Sequence, residues 1–447
     1  MLFDKNIVLS CALVISSMQI TDAQAAIALN PANPHYFVDN GKTIVLVGGA
    51  NVAPAIHGAS PNKAQLDSRS LNGSNYGRIW SVLPWEGTNT YFPWARTTTG
   101  SANDGGAKFD LTLWDDNYWN AQKATIEYAA TKNVYLQYMV FDEVGLEKAS
   151  NRWNQHPFNP DNNVNGLTLP SGNTRAVEQY YDLTNSKLLA FQEAYVAKLL
   201  TETCAYGNII YEVVNETTAP WAWQQHFIDF IKDRCPRLVS NNPFAFLTEN
   251  LNYNRLDIVN FHNLTADNVN STFNQHYAKS KILKYDEQAI GYNAIKDIRQ
   301  YGWAAITGGG HINYDESGNV SEANKAADMI GRFLRTVNVN FSKMSPHNEL
   351  VNNGYALAEP GTEYLIYTPS GGTILVDLAS MSGTAYYKWY DPDSGIFSTD
   401  SNIPSGNQVS FTSPYSNDVV LFISNKPISA TLLPPGAPTG EKLQITP

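Results

Sequence analysis

From about residue 43 to residue 310 the chain alternates short β-branched runs with longer stretches of helical periodicity. This alternation constrains the fold more than any other feature. The apolar runs are "TIVLVGGAN" (43–51), "SNYGRIWSV" (74–82), "VYLQYMVFD" (134–142), "NIIYEVVNE" (208–216), "RLVSN" (237–241), "LDIVNFHN" (256–263), "KILKYDEQ" (281–288) and "WAAITGGG" (303–310). Helical patterns fall between them at 109–133, 175–203, 223–235 and near 292–301, and another follows near 322–336. Each strand is apolar along its length, as parallel strands are when helices cover both faces. Eight such units in about 300 residues predict an α/β fold, a (β/α)8 TIM barrel. A doubly wound sheet is the competitor, but no glycine-rich dinucleotide turn follows the first strand.

The flanks have a different texture. Met1 to Asn6 carries one Lys, an apolar stretch runs from Ile7 to Ile20, and Ala23-Gln24-Ala25 offers a small-x-small cleavage pattern. A span needs about 20 apolar residues, so this stretch reads as an export signal rather than an anchor. The expectation is a secreted or periplasmic protein with no membrane span. From about 354 to 424 only short strands and turns occur, which predicts a small antiparallel β-sandwich. The expected organisation is a signal peptide (1–25), the barrel (26–345), a C-terminal β-sandwich (346–426) and a Pro-rich tail (427–447). Cys204 and Cys235 remain after cleavage, and either an intramolecular disulfide or two buried thiols fits. The formal charge of −11 comes from dispersed acids and argues against nucleic acid.

In a parallel barrel the carboxyl ends of the strands meet the ligand. The polar residues there are Asn51, Arg78 with Trp80, Asp142 with Glu143, Asn215 with Glu216, His262, Asp286 with Glu287, and His311 after the glycines. An apolar strand that ends in charge is odd for a core and expected for a site. Two carboxylates with an Arg, an Asn and a His between them suit glycoside hydrolysis, in which one protonates the leaving oxygen and the other attacks the anomeric carbon or activates water. Arg78 would keep a neighbouring carboxylate ionised. Glu212, inside its strand, reads as a buried partner of a cation. Trp80, Trp85, Trp221 and Trp223 are candidate sugar platforms, whereas Trp119 lies within a helix and reads as core. "HPFNPDNNVNG" (156–166) reads as a hydrogen-bonded rim loop rather than a calcium site, and "TGGGH" as a place where substrate approaches the backbone. No cofactor or metal is expected.

These residues carry a resemblance. "IIYEVVNE" resembles the fourth strand of clan A glycoside hydrolases, "KYDEQ" the end of the seventh, "GRIW" the arginine of the second and "VNFHN" the histidine of the sixth. "NPHYFVDNGKTIVLVGG", "KFDLTLWDDNYWNAQ" and "RWNQHPFNPDNNVNG" resemble the apiosidase-like barrels, and "GTEYLIYTPSGG…KWYDPDSG…DVVLFI" the β-domain labelled collagen-binding. The resemblance implies Glu216 as general acid/base and Glu287 as nucleophile, with adjacent Asp286 as its competitor. It also implies that Asn215 holds a sugar hydroxyl and matches Arg78 and His262 to site residues, while Trp80, Trp85, Trp223, Asp286 and Asp142 are further candidate substrate contacts from their places at strand ends and loops. The expected function is retaining cleavage of a polysaccharide or oligosaccharide by double displacement. The alternatives are a non-catalytic carbohydrate- or matrix-binding protein and an inverting glycosidase on the same fold.

Overall fold

The computed structural model describes residues 26–49, 63–82, 92–147, 151–245, 247–286, 295–314 and 320–428. The signal segment, most of the Pro-rich tail, Asn51, Trp85 and Glu287 lie outside the described residues.

A closed parallel barrel forms the first part of the chain, its strands adjacent in sequence order. They are β1 (Val47–Gly48), β2 (Tyr76–Trp80), β3 (Tyr135–Asp142), β4 (Ile209–Asn215), β5 (Val239–Asn241), β6 (Ile258–Phe261), β7 (Ile282–Asp286) and β8 (His311–Asn313). Around them lie α1 (Lys63–Asn72), α2 (Asp116–Thr131), α3 (Ser186–Thr203), α4 (Trp221–Lys232), α5 (Thr248–Asn252), α6 (Val269–His276), α7 (Ile295–Thr307) and α8 (Val320–Thr336). The amino-terminal end of the barrel is plugged by apolar side chains. Ile27, Phe37 and Leu46 pack there against inward-facing Tyr76, Tyr135, Ile210, Ile258 and Ile282. Phe37 belongs to a hairpin in which Phe37–Asp39 pairs with Lys42–Ile44. Its two-residue turn, Asn40-Gly41, has φ of 47° and 74°, which that residue pair tolerates best.

Three sequence expectations are corrected here. The run 43–51 is not one strand: its start belongs to the hairpin, and only Val47–Gly48 enters the barrel. Residues 109–114 form a strand against Trp94–Arg96, and helix α2 begins only after Asp115, whose side chain caps it through the Asn117 N–H. The run "WAAITGGG" is not the eighth strand. Trp303, Ala304, Ala305 and Ile306 are buried residues of α7. The glycines that follow end the helix, with Gly309 at φ 79° and a Cβ on Gly310 lying 2.3 Å from the Phe273 ring. They serve helix termination and close packing against α6, not substrate approach.

Cys204, at the end of α3, and Cys235, just after α4, form a disulfide with Cα atoms 6.0 Å apart. The C-terminal region is an antiparallel β-domain. One sheet runs through Tyr355–Glu359, Glu363–Thr368, Val419–Ser424 and Thr384–Asp391, and Thr373–Asp377 pairs separately with Gln408–Thr412. Alternation divides its side chains between two cores. Ile366, Trp389 and Leu421 face Ile374, Val376 and Phe411 inside the domain, whereas Leu365, Tyr367, Tyr390 and Val420 pack onto the barrel. Tyr367 stacks on Trp303 of α7 at 6.1 Å, Tyr390 meets Phe333 of α8 at 5.3 Å, and Arg299 pairs with buried Asp418 at 2.6 Å. With both faces used, Glu363–Thr368 and Val419–Ser424 at the centre of the sheet are buried along almost their whole length.

Candidate active site

Above the apolar plug the barrel interior becomes polar. The inward series on β7 is Ile282, Lys284, Asp286, and the strands beside and across from it supply Tyr76 and Arg78, Gln137, Glu212, Asn260 and Asn313. All but Ile282 and Tyr76 are buried polar or charged residues. Lys284 donates to the Tyr76 hydroxyl at 2.5 Å, to Gln137 Oε1 at 2.8 Å and to Asp286 Oδ2 at 2.8 Å. Arg78 Nη2 lies 2.5 Å from Glu212 Oε1, and Arg78 Nε lies 3.6 Å from Asp286 Oδ2. Gln137 also donates to Glu212, as does Asn260 at 3.1 Å. Two cations and two carboxylates therefore balance in a closed space, the condition under which buried charges persist.

The balance is uneven between the two acids. Burial and the nearby Asp286 carboxylate push Glu212 up to about 7, against the pull of Arg78 and Lys284. Burial also opposes ionisation of Asp286, but Arg78, Lys284 and the Asn313 hydrogen bond outweigh it and hold its carboxyl below the usual range. Burial likewise lowers Lys284, with both carboxylates working the other way.

The network reaches the mouth through Asn215. Its Oδ1 accepts from Arg78 Nη2 at 2.6 Å and from Asn242 Nδ2 at 2.9 Å. Glu212 and Asn215, three residues apart, both meet Arg78, so strict strand alternation is broken at the end of β4. The next residue, Glu216, takes φ 45°, a left-handed conformation that costs a non-glycine residue about 1–3 kcal/mol and persists where surroundings enforce it. Its side chain is 30% exposed, and its Oε1 lies 3.3 Å from Nε2 of His262, which follows β6.

What enforces this conformation is Glu143, just past β3. Its buried carboxylate accepts from the Thr218 N–H at 2.6 Å, the Thr218 hydroxyl at 2.8 Å and the Thr217 hydroxyl at 3.0 Å. It thereby clamps the two residues after Glu216. In the sequence Glu143 stands out only as one more acid at a strand end, and no local signal links it to Thr217.

Of the residues expected at the site, Arg78, Asn215, Glu216 and His262 are brought together. Asp286 sits beneath them, fully buried, with Oδ1 accepting from Asn313 and Oδ2 from Lys284. Asp142 ends β3 in register with Asn215 and accepts from the Val144 N–H at 3.0 Å. Burial raises its carboxyl to about 6, opposed by the Val144 hydrogen bond and the charges of Arg152 and Arg78. Trp80 is half-buried at the end of β2. Trp223 is corrected: it lies in α4, 1% exposed, among Phe141, Tyr181 and Phe227, because it faces the barrel side of an amphipathic helix. His311 is corrected too. It begins β8, accepts from the Leu46 N–H at 2.8 Å and lies beside the His35 carbonyl, so its ring is held by the residues of the plug. The rim loop 156–166 turns its amides inward, with Asn162 donating to the Asn154 and His156 carbonyls and Asn163 to those of Pro157 and Asn159.

No curated protein sequence matches this chain. A family model described as "Domain of unknown function (DUF6298)" matches residues 85–243, and one described as "Putative collagen-binding domain of a collagenase" matches residues 346–424. Among solved structures the fold is similar to a glycoside hydrolase family 5 protein from Bacteroides vulgatus ATCC 8482. The TM-score is 0.63 at 12% identity, covering 90% of this chain and 94% of that one. It is also similar to a protein described as "Glycoside hydrolase", with a TM-score of 0.62 at 12% identity, covering 90% of this chain and 97% of that one. At such identity the likeness is one of fold. The chain thus has the architecture of these glycoside hydrolases over barrel and β-domain together.

Proposed function

We propose that this protein is an exported, retaining glycoside hydrolase acting on a polysaccharide or oligosaccharide. Glu216 carries the reading: a strained, partly exposed carboxylate at the barrel mouth, paired with His262 and adjoining a buried charge network through Asn215. A stability role alone does not account for holding an acid in that conformation. In the reaction Glu216 protonates the leaving glycosidic oxygen while Glu287 attacks the anomeric carbon, giving a glycosyl-enzyme. Glu216 then takes a proton from water, which attacks the same carbon and restores the enzyme with retention. Asn215 holds a sugar hydroxyl, oriented for that by Arg78.

Asp286 is the weaker nucleophile candidate. It is fully buried beneath the mouth, with Oδ1 accepting from Asn313 and Oδ2 from Lys284, whereas a nucleophile has to face the pocket. Its role here is to fix Arg78 and Lys284. Export follows from the apolar N-terminal segment with its Ala-Gln-Ala pattern.

The test is a set of single variants, Glu216→Gln, Glu287→Gln and Asp286→Asn, on the best substrate from a broad glycan panel. The first two are expected to lose at least about 10³-fold in kcat with unchanged thermal midpoints. Proton NMR of the first-formed product should show the starting anomer. An inverted product, or near-normal rates in Glu216→Gln, overturns the assignment. Binding without cleavage across the panel favours a carbohydrate-binding protein.

A further inference from the structure

Of the large apolar side chains exposed among the described residues, one is aromatic: Phe244, 53% exposed. It lies just beyond β5, at the same end of the barrel as Glu216. Its backbone is fixed from two sides. The Phe244 N–H donates to the Thr217 carbonyl at 3.0 Å, and its carbonyl accepts from Asn263 Nδ2 at 3.3 Å. Thr217 follows Glu216, and Asn263, at φ 57°, follows His262. The ring is thereby tied to both members of the Glu216–His262 pair. Its centroid lies 6.0 Å from that of His262, with the planes 33° apart.

We propose that Phe244 is a substrate-positioning residue, its ring a platform for the apolar C–H face of a sugar unit bound beside Glu216. The inference rests on the reading of Glu216 as acid/base and adds the element that reading lacks. The sequence points to tryptophans as platforms, yet Trp223 is buried in the core. A phenyl ring held in water on a fixed backbone gives up contact area unless a ligand covers it, and a sugar face covers it without needing a hydrogen-bond partner from the ring. The neighbouring His262 and Asn263 supply the polar groups for the hydroxyls at the edge of the same unit.

The experiment uses the full chain as wild type, Phe244→Ala, Phe244→Trp and Glu216→Gln. The substrates are xylan, mannan, β-glucan, arabinogalactan, pectin and 4-nitrophenyl glycosides. On the best polymer, Phe244→Ala is expected to lose about tenfold in kcat/KM, chiefly through KM, as removal of one apolar contact face should. Phe244→Trp should stay within about threefold, since it retains a ring face. Both variants should keep the wild-type thermal midpoint, because the side chain is half in solvent. If Phe244→Ala keeps its kcat/KM while Glu216→Gln is inactive, the platform is wrong and the acid/base reading stands. If Phe244→Trp is as impaired as Phe244→Ala, the ring face is not what the substrate uses and the platform is again wrong. If Glu216→Gln is fully active, or wild type cleaves nothing, the underlying reading fails and the platform with it.

Discussion

The clamp between Glu143 and the Thr217–Thr218 loop ties stability to the proposed chemistry, and Glu143→Ala tests both. Three hydrogen bonds end on one buried carboxylate, at 2.6, 2.8 and 3.0 Å. Hydrogen bonds to a charged group contribute about 1.5–3 kcal/mol each, but the two threonine hydroxyls can rotate toward other partners once the carboxylate is gone. The Thr218 N–H cannot. Arg175, 3.8 Å from Glu143 and 39% exposed, adds little. The expected destabilisation is therefore about 3–5 kcal/mol rather than the full sum. With about 2.1 cal/mol/K of unfolding entropy for each of the roughly 360 described residues, this lowers the thermal midpoint by about 4–7 °C. Loss of the clamp also releases Glu216 from its left-handed conformation, and a displacement near 1 Å in a reacting group costs on the order of 10²-fold in rate. Differential scanning calorimetry and kcat on the best glycan measure the two effects. Glu143→Gln, which keeps one acceptor oxygen, should fall about midway in midpoint. A Glu143→Ala protein that melts within about 1 °C of wild type and turns over at half its rate or better would refute the clamp.

Two further outcomes follow from the same structure. The Cys204–Cys235 bond closes a loop of sequence separation 31, for which chain entropy gives about 4 kcal/mol. Cys204→Ser/Cys235→Ser should show a clearly lower urea midpoint, and equality with the oxidised wild type would place the stabilisation elsewhere. His156 is buried, its Nδ1 accepts from the Phe158 N–H, and burial lowers it to about 3. Its contribution is thus present above the unfolded value of 6.5 and is lost as pH falls from 6.5 toward 3. At pH 5 the loss is about 2 kcal/mol, so the stability advantage of wild type over His156→Asn should shrink by that amount between pH 7 and pH 5. An advantage that does not change with pH removes the claim.

The barrel was legible because its signal is repeated: an apolar run, then a helix, over and over, with polar residues at the run's end. Where the reading slipped, two kinds of element shared one composition. Trp303-Ala-Ala-Ile306 continues a helix face and is also a plausible buried strand, and only the cap at Gly309 separates the two. The segment 109–114 has helix-compatible residues, but pairing with Trp94–Arg96 makes it a strand, a tertiary partner the local sequence does not name. At the site, Arg78, Asn215, Glu216 and His262 could be found because each lies at or near the carboxyl end of an apolar run. Lys284 could have been found as well, since Ile282, Lys284 and Asp286 alternate inward. Glu143 could be listed as a strand-end acid but not given its role, and Phe244 could not be found, because their meaning depends on loops from different β/α units meeting at the mouth.

That contrast explains why the interior beneath the mouth is polar at all. Arg78, Lys284, Glu212 and Asp286 fill a layer that branched apolar residues fill in an ordinary barrel. Replacing buried ion pairs by well-packed apolar residues is commonly neutral or stabilising, so stability alone does not require this layer. What apolar residues cannot do is orient a polar group at a chosen point. Arg78 does so here, holding the Asn215 side-chain Oδ1 at 2.6 Å while anchored from below by Glu212. The carboxylate at the end of the "IIYEVVNE" strand thus stands on a stack in which each side chain constrains the one above it. Glu212 constrains Arg78, Arg78 constrains Asn215, and Asn215 leads directly into Glu216, which Glu143 locks from the other side. The geometry at the mouth is carried by charge pairing inside the barrel together with the Glu143 clamp on the loop that follows Glu216.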